Sequence, residues 1–179
     1  MKILFFITGL FSLTLGAVNA PTEVQPLLEK IAEVEEGALL LKKHADIQVR
    51  FIPKQQFDAY WVAGARTICL SETNRSRPER LLRSLIFELH NAESTAKLQA
   101  LHSLARARRI SRNEYIKQCE KIEFLNSLAT MDILEKGIRS GRFPHASRWL
   151  MPRTFDDYFR VQLQSGHASY HGSNYDRLS

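Results

Sequence analysis

Residues 85–92 read Leu85-Ile86-Phe87-Glu88-Leu89-His90-Asn91-Ala92, and residues 121–126 read Lys121-Ile122-Glu123-Phe124-Leu125-Asn126. Positions three and four apart share one face of a helix. Glu88 and Asn91 therefore stand one turn apart, and Glu123 and Asn126 repeat that spacing. Both pairs are set among apolar residues. A carboxylate or amide in such surroundings is costly unless it is paired, so the two helices are expected to face one another through a hydrogen-bonded cluster of Glu88, Asn91, Glu123 and Asn126. A cluster of this kind can hold a core together, line a cleft for a ligand or partner, or offer carboxylates to a metal.

The first of these segments resembles the active helix of the zincin metallopeptidases, whose pattern is an apolar pair, His-Glu-x-x-His and a small residue. The strand-like Ile68-Cys69-Leu70-Ser71, the polar loop after it and the acidic helix start are also similar to that family's minimal core. Glu123 matches the place of a third, glutamate ligand. The resemblance spans roughly residues 25 to 130 and implies a zincin-like α+β domain: an N-terminal helix, a small antiparallel sheet, two long helices and a short C-terminal helix. It also implies a general base at Glu88.

The departures from that pattern bear on the chemistry. Two imidazoles four apart hold the zinc of this motif, and here those positions are Phe87 and Asn91. A phenyl ring has no lone pair, and an amide is a poor zinc ligand beside imidazole. His90 lies about 300° round the helix from Phe87 and does not replace it. The family's zinc site is expected to be broken and no cofactor is expected. The protein then reads as a non-catalytic metallopeptidase-like domain that binds an unknown protein or an anionic envelope component. The alternative is an active metal-dependent hydrolase, a peptidase with zinc, using Glu88 and Glu123 with an atypical ligand set. A di-iron bundle built on two Glu-x-x-His motifs meets the same objection, because Asn91 and Asn126 stand where histidines belong.

Other chemistry-bearing residues are weaker candidates. His167 and His171 are four apart, but in a stretch rich in Ser, Gly, His and Tyr without helical periodicity, so no metal pair is expected there. Ser165-Gly166-His167 lacks the strand–turn–helix context of a nucleophile elbow. His44, His102 and His145 are isolated and read as surface or capping residues. No phosphate-binding glycine loop or dinucleotide fingerprint is present. Cys69 and Cys119 form an even pair, a disulfide candidate in an exported chain; the other reading is two small buried hydrophobes.

Export is expected from the first twenty residues. Lys2 precedes an uncharged apolar run from Ile3 to Val18, and Val18-Asn19-Ala20 offers a cleavage site. Pro21 hinders a cut after Ala20, which leaves Ala17 as the second choice. Residues 1–20 thus read as a signal peptide, 21–165 as one domain and 166–179 as a flexible tail, in a periplasmic or secreted protein. At 44% hydrophobic and 25% charged residues, the 179-residue chain is not disordered. No apolar run after residue 20 approaches a membrane span. The net charge of +6 gathers at Arg75, Arg77, Arg80 and Arg83 and at Arg106, Arg108, Arg109 and Arg112. No aromatics are interleaved as a single-strand surface requires, so no nucleic acid is expected.

The elements that must position these groups follow from periodicity. Apolar residues recur at helical spacing from Thr22 to Lys43, and Ile47 to Ile52 alternates as a half-buried strand. Tyr60-Trp61-Val62 and Thr67-Ile68-Cys69-Leu70 are expected to pair as a hairpin about Ala63-Gly64-Ala65. Ser76-Arg77-Pro78-Glu79 and Ser111-Arg112-Asn113-Glu114 both have capping-box spacing. They open one helix from Pro78 to about Leu98 or on towards Arg106, and another stopped by Gly137. A short helix follows from Thr154 to about Gln164.

Overall fold

The computed structural model describes residues 18–53 and 56–179. Most of the expected leader lies outside the described residues. The N-terminal amphipathic run forms two helices, α1 (Gln25–Ala32) and α2 (Glu35–Lys43), in place of the one expected. They part at Val34, whose backbone is extended (φ −102°, ψ 127°). Its side chain is buried beside Leu28, Ile31, Leu40 and Leu41. The bend lets both helices turn their apolar faces to one core.

Three strands follow: β1 (Gln48–Ile52), β2 (Ala59–Val62) and β3 (Thr67–Ser71), in the sheet order β1-β3-β2. The β2–β3 hairpin forms where expected, with Tyr60 opposite Cys69 and Trp61 opposite Ile68. β1 instead runs parallel to β3, with Val49 opposite Ile68. The sheet is therefore mixed and not antiparallel. β3 is central, and its five residues Thr67-Ile68-Cys69-Leu70-Ser71 are all buried. The hairpin covers one side of it, which leaves β1 to pair on the other.

The rest is helical, so the fold is α+β with helices dominant. The expected single helix after Pro78 is two, α3 (Pro78–Glu93) and α4 (Thr95–Arg106), which part at Ser94. The Ser94 hydroxyl donates to Asn126 Oδ1 at 2.9 Å, a buried bond made from the bend itself. Arg77 is the N-cap of α3, with no side-chain cap bond, so the Ser76–Glu79 box is not made; Pro78 takes the first turn. α5 (Arg112–Arg139) does open on its box, with Glu114 N–H donating to Ser111 Oγ at 3.3 Å. Gly137 does not stop α5. It is buried inside the last turn, where a Cβ would lie 2.1 Å from the Phe143 ring. Glycine is there for the close approach of that ring.

α6 (Phe155–Ser165) is followed by α7 (His167–Leu178), a helix where a flexible tail was expected. Gly166 joins the two at φ +84°, a conformation that glycine adopts without strain. α7 buries Ala168, His171 and Gly172 against α5, a face of small and polar residues that shows no apolar periodicity. Arg112 pairs with Asp176 at 2.9 Å, and Tyr175 Oη donates to Ile110 O at 2.9 Å. The larger core cluster joins α1, α2, the sheet, α3 and the C-terminal half of α5; a smaller one, with Ala105, Tyr115, Ile116, Cys119 and Ala168, joins α4, α5 and α7. Among the described residues no helix is long and apolar enough to cross a membrane.

Candidate metal centre and its cleft

Because α3 and α5 lie side by side, three of the four expected cluster residues meet. Asn91 Nδ2 donates to Glu88 Oε2 at 2.9 Å, and Asn126 Nδ2 donates to Asn91 Oδ1 at 2.8 Å. Ser94 closes the set on Asn126, and Thr130 Oγ1 donates to the Asn126 carbonyl at 2.8 Å. Glu88 is only 3% exposed. Burial pushes its carboxyl up to about 8; the nearby Glu123 adds to this, while donation from Asn91 and Trp61 and the charge of His167 oppose it. Phe87, at the first ligand position of the zincin pattern, stacks edge-on against Trp149 at 5.4 Å. Neither Phe87 nor Asn91 offers a metal anything here.

Glu123 takes no hydrogen bond from the other three residues and instead faces α7. Glu120 and Glu123 are one turn apart on α5, and His167 and His171 are one turn apart on α7. The ligand atoms of these four residues lie within 4.8 Å of one another. His167 Nδ1 is 2.9 Å from Glu120 Oε1, and its Nε2 is 3.5 Å from Glu123 Oε2. His171 Nε2 is 3.2 Å from Glu123 Oε1 and 4.0 Å from Glu120 Oε1. Burial works to lower both imidazoles, yet Glu120 and Glu123 hold His167 above its ordinary value. Cys119 and Glu123 likewise hold His171 up, at about 10. Two buried atoms of the cluster, Glu120 Oε2 and His171 Nε2, make no hydrogen bond.

The residues of this cluster were legible only in part. Glu123 was singled out for its place after the zincin-like helix. The histidine pair stands in a stretch without a helical pattern in its sequence, and α7 overturns the expectation that it forms no metal pair. Glu120 was missed; its signal is the Glu-x-x-Glu spacing on α5 against a His-x-x-x-His spacing elsewhere. Of the remaining histidines, His44 is the C-cap residue of α2, where its N–H donates to Leu41 O, and its ring is buried with both nitrogens unpaired.

Both polar sets open on one cleft of about 1090 Å3, just above the volumes that small-molecule sites occupy. Glu88, Asn91, Glu123, His167 and His171 line it, and Glu120 does not. One wall is β2 with Phe57, whose ring meets His167 at 5.5 Å and Tyr170 at 5.2 Å. Cys69 and Cys119 are both buried and free, so the candidate disulfide is not formed. Cys69 sits mid-strand in β3, where Arg50 Nε donates to its sulfur at 3.5 Å. Cys119 belongs to the smaller core cluster with Tyr115. Each fills a core position as a small hydrophobe.

Comparison with protein-family models, with curated proteins and with solved structures gives no match.

Proposed function

We propose that this protein is an exported domain that docks an extended segment of a partner polypeptide along β2, in the cleft between that strand and α3, α5 and α7. The observation that carries this reading is the phase of the β2 hydrogen bonds. Ser71 N–H donates to Asp58 O at 2.9 Å. In an antiparallel ladder alternate residues exchange both backbone bonds with their neighbour, so Tyr60 and Val62 bond to β3. The backbone groups of Ala59 and Trp61 then point to the free edge, beyond which no strand lies among the described residues. The Trp61 backbone meets Glu88, and Ala59 lines the cleft. An extended chain added there gains main-chain hydrogen bonds, with side-chain pockets giving selectivity. Arg83 and Arg106 at the cleft wall, with Arg80 paired to Asp58, favour an acidic segment at that wall, while Glu88 and Glu123 set the opposite charge deeper in. A zincin-like core is the finer proposal for the scaffold, with an edge strand and a Glu-bearing helix on either side of one cleft.

The test uses an unfolded acidic polypeptide, such as reduced and alkylated lactalbumin, titrated against the full chain with Trp fluorescence and calorimetry as readouts. Ala59→Pro removes one edge N–H and blocks pairing. Saturable binding to the wild type that Ala59→Pro loses is the expected outcome. Equal binding to both proteins, or none to either, overturns the proposal.

A second reading, an active metal-dependent peptidase, is favoured by the Glu120, Glu123, His167 and His171 cluster in the same cleft. Glu88 and Glu123 are the carboxylates that the atypical ligand set was expected to use. Release of new amino termini from the same polypeptide with added zinc, lost in Glu88→Gln, separates hydrolysis from docking alone.

A further inference from the structure

We propose that His167 Nε2, His171 Nε2 and the Glu123 carboxylate bind one zinc-class divalent cation, that Glu120 orients His167 from behind, and that the remaining position of the ion opens on the cleft. This goes beyond polypeptide docking and does not rest on it.

The spacing of the donors is the first argument. Zinc holds nitrogen and carboxylate oxygen at about 2.0–2.1 Å. Tetrahedral angles then place neighbouring ligand atoms about 3.3–3.4 Å apart, whereas octahedral angles at the same bond lengths place them about 2.9 Å apart. His171 Nε2 is 3.2 Å from Glu123 Oε1 and His167 Nε2 is 3.5 Å from Glu123 Oε2, so each ring meets its own oxygen of one carboxylate at a separation near the tetrahedral value. Two imidazoles and one carboxylate form a donor set suited to zinc, and one protein ligand fewer than four leaves room for water or substrate.

The second argument is an unmet valence. His171 is 5% exposed, its Nε2 is buried without a hydrogen bond, and it faces the Glu123 carboxylate. Buried polar atoms are nearly always hydrogen-bonded, and this nitrogen meets the Glu123 carboxylate only as an ion pair without an aligned hydrogen bond. A cation between the rings and the carboxylate gives it a partner, once the imidazoles have given up their extra protons.

Glu120 plays a different part. It is fully buried, it is absent from the cleft wall, and its Oε1 is 2.9 Å from His167 Nδ1. A carboxylate on the far nitrogen of a ligating histidine fixes its tautomer and raises its basicity, leaving Nε2 free for the metal. Glu123, His167 and His171 do line the cleft. The split of one carboxylate behind and three donors in front defines the open side of the ion.

The test uses the full chain stripped with chelator and titrated with zinc chloride, read by calorimetry and metal analysis. The wild type is expected to take one zinc per chain. His167→Ala, His171→Ala and Glu123→Ala are expected to lose stoichiometric binding, and Glu120→Gln to keep one zinc at roughly 10- to 100-fold weaker affinity. Circular dichroism of each zinc-free variant separates lost ligands from lost folding; for a variant that does not fold, protection of α7 from proteolysis by zinc in the wild type takes its place. Cobalt in place of zinc reads the open position, since acetohydroxamate should shift its visible bands. A wild type without tight zinc, or a His171→Ala protein that binds as the wild type does, overturns the site. Glu120→Gln that loses zinc as completely as Glu123→Ala, or cobalt bands blind to acetohydroxamate, overturns the open position. None of these outcomes alters the docking test at Ala59.

Discussion

His167 holds a carboxylate at each ring nitrogen: Glu120 Oε1 at 2.9 Å from Nδ1 and Glu123 Oε2 at 3.5 Å from Nε2. The ring thereby ties α7 to two successive turns of α5. Without a metal this contact is also what satisfies Glu120, which is wholly buried and has one oxygen already unpaired. His167→Ala in metal-free protein should therefore cost roughly 1–3 kcal/mol, the range for stranding a buried hydrogen-bonding group. Urea unfolding measures it. Adding Glu120→Leu to His167→Ala should recover part of the loss, because an apolar side chain of similar volume leaves no charge stranded. A double variant no more stable than the single one would show that Glu120 is satisfied by something other than His167.

Glu88 supplies a pH dependence of definite sign. Its folded-state value of about 8 lies above the ordinary 4.5 of a carboxyl, because the protonated form is the one the buried site accepts. The contribution is therefore complete below about pH 4.5 and is lost as pH rises through about 8. The groups facing it are Asn91 on its own helix, Glu123 from α5, His167 from α7 and the Trp61 backbone from β2. Metal-free wild type should lose stability between about pH 5 and 8, by on the order of a few kcal/mol, while Glu88→Gln, always neutral, should show a flatter profile. Parallel profiles for the two proteins would remove Glu88 from the account.

Asn126 accepts from Ser94 and donates to Asn91, and so ties the break between α3 and α4 to the middle of α5. Asn126→Ala should strand both partners and lower stability by roughly 1–3 kcal/mol. Asn126→Asp keeps the acceptor but not the donor, and should fall between the two. A thermal scan of the three proteins at one pH ranks them; an alanine variant as stable as the wild type would mean that water replaces the amide.

The elements that could be read directly are those whose signal is local. The Ala63-Gly64-Ala65 turn between two apolar runs gave away the hairpin, and Ser111 with Glu114 marked the start of α5. The parallel pairing of β1 with β3 is a choice between partners distant in sequence, and alternation in Gln48–Ile52 is the same whichever direction is chosen. α7 was illegible for a different reason. Its buried face is Ala168, His171 and Gly172: Ala168, with the partly buried Tyr175 and Leu178, joins the smaller core cluster, while His171 meets Glu123. An apolar stripe of so few residues, interrupted by His171 and Gly172, is hard to read as a helical period. Half of the cluster was hidden with it, and Glu88, Asn91 and Asn126 were found because they interrupt strongly apolar helices.

The two thiols give a simple check on the strand and helix that carry them. Cys69 lies within β3 and Cys119 on α5, each buried and unbridged. Denatured, unreduced protein should titrate as two thiols per chain with Ellman's reagent, even when the protein is recovered from an oxidising compartment. No reactive thiol would mean that the pair closes and that β3 and α5 approach more nearly than this packing has them.

The start of the described chain bears on where a leader would be cut. Val18 is 7% exposed and packs in the main core cluster. Val49 N–H donates to Asn19 O at 2.8 Å, in a short parallel bridge between Asn19 and Gln48. Gln25 Nε2 reaches back to the carbonyls of Val18 and Ala20, at 3.4 and 3.1 Å. A cut after Ala20 would remove Val18 and Asn19, together with the burial of a valine, worth roughly 1.5–3 kcal/mol. It would also leave Pro21 as the new first residue. A cut after Ala17 keeps every one of these contacts. If the leader is removed on export, N-terminal sequencing of the processed chain should therefore begin at Val18, and a chain made to start at Pro21 should melt below one made to start at Val18. A mature protein that begins at Pro21 and melts no lower than its longer counterpart would show that residues 18–20 add nothing to the fold.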